Sequence, residues 1–187
     1  IEGLGIVTQD AAGLAQKGGA TWSHVLIAPR FEDIRTTRVA LAAADLILGC
    51  DPIVAAGKET LLRVGAGRTR VALNANSTPT ASFIQNSKQW ENPSDRCVAA
   101  MGEALQGQGL GTLQANAMAT ALMGDSIYVN PMVMGYAWQK GWLPLRRESI
   151  FKAMELNGVQ VQANQQAFDW GRWAAHAPDK VAELLLS

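Results

Sequence analysis

Short apolar runs dominate the first half of this chain, and stretches with helical spacing dominate the second. Residues 5–9 form a brief β-prone run, followed by a loop of small residues over 10–21 and a second run at 23–28 that Pro29 stops. Residues 36–44 read as a short helix. Residues 45–50 (Asp-Leu-Ile-Leu-Gly-Cys) are almost continuously apolar, the pattern of a strand buried on both faces. Asp51-Pro52 then opens a helix, with Asp51 as N-cap and Pro52 at the first helical position, where the missing N–H costs nothing. Ile53, Ala56, Gly57, Leu61 and Val64 carry that helix to Gly65, and residues 69–74 form the next strand. Strand, helix and strand with short connections predict parallel pairing through a right-handed crossover.

Beyond this point the pattern is helical. Helices are expected over 94–105, Ala115–Met123, 130–140, 147–156 and 159–175, with a short turn seeded by Pro178. The Gly107 to Gly111 stretch joins two of them, and Asn157-Gly158 is a natural C-cap pair between the last two. The expected fold class is α/β: a three-layer α/β/α domain with a mainly parallel, Rossmann-like sheet and a helical C-terminal half. No repeat or disordered linker divides residues 1–187, so one domain is expected. A doubly wound sheet usually opens on a strand and helix that build its central slot. This chain starts on a strand whose outgoing loop already carries candidate chemistry, so the first strand–helix unit is expected to be missing.

Composition narrows the function. The 16 basic and 16 acidic residues cancel, which argues against a nucleic-acid partner needing a basic stripe. Only 17% of the residues are charged, a surface suited to life inside a larger assembly. No apolar run approaches the length of a membrane span, so no membrane partner is expected, and a reducing cytoplasm is the simplest compartment. Two cysteines, Cys50 and Cys97, with no Cys-x-x-Cys and no Cys/His cluster cannot alone build a zinc site or an iron–sulfur cluster.

Three glycine-rich turns lie in the wrong context for a dinucleotide fingerprint. Gly3-Leu4-Gly5 precedes a strand, Gly65-Ala66-Gly67 follows a helix, and Gly107 to Gly111 joins helical segments. The loop around Gly18-Gly19 differs, because it follows a strand and would sit at the carboxyl edge of a parallel sheet, where ligands bind. There Gly18 and Gly19 free the backbone for an anion, Lys17 supplies a point charge, and Gln16, Ser23 and His24 add neutral donors and acceptors. A second candidate is the polar run 74–80, with Asn74, Ser77 and Thr78, whose ordinary role is an Asx turn or a helix cap. His24 and His176 have structural readings as a half-buried ring and a helix C-terminal cation, and Cys50 that of a small hydrophobe. The residues offer no nucleophile–base pair and no metal site. Trp170 and Trp173, three apart on one helix, suit a contact with other subunits.

Several stretches together resemble a known family. Gly13-Leu14-Ala15-Gln16-Lys17-Gly18-Gly19 followed by Ser23-His24-Val25, and Ala44-Asp45-Leu46-Ile47-Leu48-Gly49-Cys50-Asp51, are similar to the gamma domain of 2-oxoacid:ferredoxin oxidoreductases. So are Met123-Gly124-Asp125-Ser126-Ile127, Gly135-Tyr136-Ala137-Trp138-Gln139-Lys140-Gly141, Glu155-Leu156-Asn157-Gly158-Val159 and Ala167-Phe168-Asp169-Trp170-Gly171-Arg172. The likeness spans essentially the whole chain and is nearest the indolepyruvate type. Leu26 stands where the family commonly has a basic residue two positions after the histidine. The resemblance implies an enzyme in which thiamine diphosphate, with Mg, attacks a 2-oxoacid on other domains or subunits. Electrons then leave through iron–sulfur clusters to ferredoxin, and coenzyme A is the co-substrate that accepts the acyl group. It implies that this domain binds none of those cofactors alone, is inactive in isolation, and packs on the thiamine-diphosphate domains with the 16–24 loop facing the site. The alternatives are a stand-alone nucleotide-binding module and a purely structural subunit.

Overall fold

The computed structural model describes residues 1–12, 21–75 and 93–186. Three parallel strands, β3 (Leu46–Gly49), β4 (Arg70–Asn74) and β5 (Leu110–Leu113), lie in the order β3-β4-β5. β4 explains the layering. Its Val71 and Leu73 point into a core with Ala55, Val64, Met101 and Leu105, while Ala72 between them points into a second core with Met132, Val133 and Tyr136. Helices α1 (Pro52–Ala55), α2 (Lys58–Leu61) and α3 (Pro93–Ala104) belong to the first side. On the second side lie α4 (Ala115–Met123) and α5 (Val129–Gln139), with α6 (Arg147–Asn157), α7 (Val161–His176) and α8 (Pro178–Leu186) behind them. The α/β class and its Rossmann-like α/β/α layering are therefore as expected.

Several local features follow from single residues. Asp51 Oδ1 accepts from the Ile53 and Val54 amides at 2.8 and 3.2 Å, and Pro52 starts α1, as the sequence predicts. The expected continuous helix to Gly65 is broken at Gly57, whose extended backbone starts α2 afresh. The helix expected over 36–44 is absent. The Thr36 hydroxyl there meets the Arg38 amide, Ala42 adopts a left-handed φ of 54°, and the Ala42 and Ala44 amides donate to Leu62 and Arg63 carbonyls instead. This segment is a strap that ties α2 to the start of β3.

Three further corrections concern β5, the Pro178 segment and the first two strands. β5 lies where the sequence reading placed only a glycine connection. The Pro178 segment is likewise a helix of 9 residues rather than a turn. The strands expected at 5–9 and 23–28 are longer, β1 (Gly5–Ala12) and β2 (Thr21–Ala28), and pair with each other antiparallel in a separate sheet. The carboxyl-edge argument for the Gly18-Gly19 loop assumed a parallel strand and does not hold for this hairpin.

Candidate functional site

Of the first candidate group, Gln16, Lys17, Gly18 and Gly19 lie outside the described residues, as do Ser77 and Thr78 of the second. Ser23 and His24 are consecutive in β2, so they point to opposite faces of the hairpin. Ser23 is on the exposed face, where its hydroxyl donates to Asp10 Oδ1 at 2.5 Å. Ile6 and Val25, 54% and 49% exposed, leave this face apolar beside that pair. His24 is on the other face and half-buried. Its Nδ1 accepts the Val39 amide at 3.1 Å, and the strap thereby closes over the ring. Gln9, directly across the ladder from His24, turns its amide NH2 to Thr37 Oγ1 (2.6 Å) and its oxygen to the Arg38 guanidinium (3.2 and 3.3 Å). Burial, then Arg63 and Arg38, push the imidazole below the ordinary histidine value against a smaller opposing pull from Glu59.

The second group centres on Asn74, at the carboxyl end of β4 and only 2% exposed. Its Nδ2 donates to the Cys50 carbonyl (2.9 Å) and to Asn116 Oδ1 (2.5 Å), and its Oδ1 accepts the Ala115 amide (3.0 Å). Both amide protons are thus spent on joining the end of β3 to the first turn of α4. Asn74 is a clamp, and Asn116 is the residue of this network that lies nearer the surface. Sequence reasoning missed Asn116, Gln9 and Arg38, since each meets its partner across 42, 28 or more residues, or only after the hairpin register is known.

Cys50 packs against the second core, and burial with Asp51 beside it pushes its thiol up to about 11. The Cys97 thiol is also raised, by burial and then Asp51, with Arg96 opposing. Among the described residues no three metal-ligating side chains gather. A cleft at the start of α7 is lined by Gln160, Val161, Gln162, Ala163 and Gln166, which bring amides and no titratable group. No helix among the described residues is long and apolar enough to cross a membrane.

A family model described as pyruvate ferredoxin/flavodoxin oxidoreductase matches residues 1–174. The chain belongs to that family. Neither a search of the curated proteins nor one of the solved structures returned a match. Membership gives the chain its place in a 2-oxoacid:ferredoxin oxidoreductase. An iron–sulfur cluster of the four-thiolate kind does not fit this family member's own residues, which include two cysteines with raised thiols.

Proposed function

We propose that this chain is a gamma-type domain of an indolepyruvate-type 2-oxoacid:ferredoxin oxidoreductase. It acts by packing on the thiamine-diphosphate-binding domains or subunits of the same cytoplasmic enzyme, with ferredoxin as the acceptor of the whole. The observation carrying this reading is the family match over 174 of 187 residues. The hairpin's exposed face, with Ile6 and Val25 uncovered, supports the packing, since a two-stranded sheet is marginal by itself in water.

In this reading Gln16, Lys17, Gly18 and Gly19, with Ser23 on the exposed face of the strand that follows, serve the coenzyme A side of the reaction, while His24 on the opposite face holds the hairpin. Two glycine amides and a lysine point charge suit a phosphate, and a hydroxyl suits the acyl or pantetheine groups. Asn74 holds the carboxyl end of β4 as a buried clamp, and Ser77 and Thr78, which follow it in the chain, are the second candidate contact. Thiamine diphosphate, Mg and the clusters belong to companion domains and supply the decarboxylation and electron relay.

Steady-state kinetics on Lys17→Ala in the whole enzyme test the coenzyme A assignment. The expected result is a KM for coenzyme A raised about tenfold, the scale of one charge-assisted contact, with kcat largely kept. An unchanged coenzyme A dependence refutes it. Comparing turnover of indolepyruvate and pyruvate tests the substrate separately.

A further inference from the structure

His24 and Gln9 face each other across the hairpin and reach the same strap. The decisive bond is the one from the Val39 amide to Nδ1. A ring nitrogen accepts only through a lone pair, so Nδ1 carries no proton and the neutral ring keeps its proton on Nε2. Protonation makes both nitrogens donors. Nδ1–H would then confront Val39 N–H, and this bond cannot form.

We propose that His24 is an acid-sensitive latch, which fastens the β1–β2 hairpin to the 36–44 strap while its ring is neutral and releases it on protonation. The charged groups facing the ring are Arg38 from the strap, with Arg63 and Glu59 from α2 and its exit. The Arg63 side chain is only 17% exposed and its Nη2 lies 3.7 Å from Glu59, so its charge faces the ring partly offset by that carboxylate. Burial first, then two cations against one carboxylate, keep the latch closed at neutral pH. The folded form thus resists the proton more than the unfolded chain does. Its stabilising contribution is complete above the ordinary histidine value of about 6.5 and is lost as pH falls below it. The Gln9–His24 pair lies in the middle of the hairpin ladder, three pairs from its Ala12–Thr21 end, so the latch grips the body of the hairpin.

Hydrogen–deuterium exchange on the intact enzyme, corrected for the intrinsic pH dependence of exchange and read on peptides covering residues 36–44, tests this. In the wild type, protection of the Val39 amide should fall about tenfold between about pH 8 and pH 5, as expected for loss of one hydrogen bond. His24→Asn places a non-titrating oxygen near the Nδ1 position and should stay protected throughout. His24→Leu should be unprotected throughout. Flat protection in the wild type, or a His24→Asn profile that falls in parallel with it, overturns the latch; both outcomes are independent of coenzyme A or substrate, so they leave the proposed function to its own test.

Discussion

Gly135→Ala should be among the most damaging single-methyl changes in this protein. Helices α5 and α7 cross at two glycines that serve each other's backbone. A Cβ on Gly135 would stand 1.9 Å from the Phe168 carbonyl oxygen, and one on Gly171 would stand 1.9 Å from that of Met132. Ordinary contact begins near 3.4 Å, so the helices must part by about 1.5 Å. The obstacle is main chain and cannot rotate away. Parting the helices also loosens Met132, Val133 and Phe168, all fully buried. Overpacking costs ~1–3 kcal/mol where side chains can adjust, and a carbonyl clash belongs at the top of that range or above. Alanine returns ~1 kcal/mol over glycine in a helix, which leaves a net loss of roughly 2–3 kcal/mol. At ~2–4 °C per kcal/mol for a chain of this length, Tm should drop by about 4–12 °C. Thermal and urea unfolding measure it. Gly102→Ala in α3 is the control, because its Cβ would meet only Leu110 Cδ2 at 4.0 Å and the same propensity gain should stabilise. The double variant Gly135→Ala/Gly171→Ala should cost less than the sum of the singles, since one parting accommodates both methyls. A Gly135→Ala protein as stable as the wild type would refute the close-crossing argument.

Two other outcomes follow from buried polar groups. Asn74→Ala should cost about 2–4 kcal/mol in urea unfolding, because the Ala115 amide and Cys50 carbonyl lose their partner together; a loss under ~0.5 kcal/mol would show that Asn74 is not a clamp. With its thiol at about 11, Cys50 should react with a thiol reagent at pH 8 about 100-fold more slowly than a free cysteine, and at the ordinary rate once the chain is unfolded. Mass spectrometry of the labelled peptide reads both rates, and fast labelling in the native protein would contradict the burial argument.

The parts of this fold legible in the sequence are those fixed by local chemistry. Asp51-Pro52 announces α1 because a carboxylate cap and a ring-locked φ act within four residues. Ser94 to Leu105 and the later helical stretches are legible because their periodicity persists for several turns. Gly158, with φ of 72°, ends α6 where the Asn157-Gly158 pair predicts. What escaped depends on distant partners. The 36–44 strap has enough alanine and leucine to resemble a helix, yet its amides are claimed by the exit of α2. β5 is four residues long, and it is a strand because Val71 and Leu73 of β4 offer it a ladder. Gly111 serves that strand by letting Tyr136 and Trp142 approach, whereas its sequence neighbourhood reads only as a turn.

The hairpin register also separates what the sequence grouped. Residues 23 and 24 are adjacent in the chain, but one bonds Asp10 on the open face and the other Val39 beneath. The strap holding His24 leads into the amino end of β3, and Arg63 beside it precedes the amino end of β4. Asn74 closes the carboxyl end of that same strand. His24 and Asn74 therefore lie toward opposite ends of β4, and a ligand held by one of these two is not held by the other's side chain. This makes the proposals on them separable. If both proposed regions contribute to coenzyme A binding, their effects must add as independent sites do, with Lys17→Ala and Ser77→Ala together raising KM by the product of the single changes. Strong non-additivity would mean that the two proposed regions bind coenzyme A as one site, and would refute their independence.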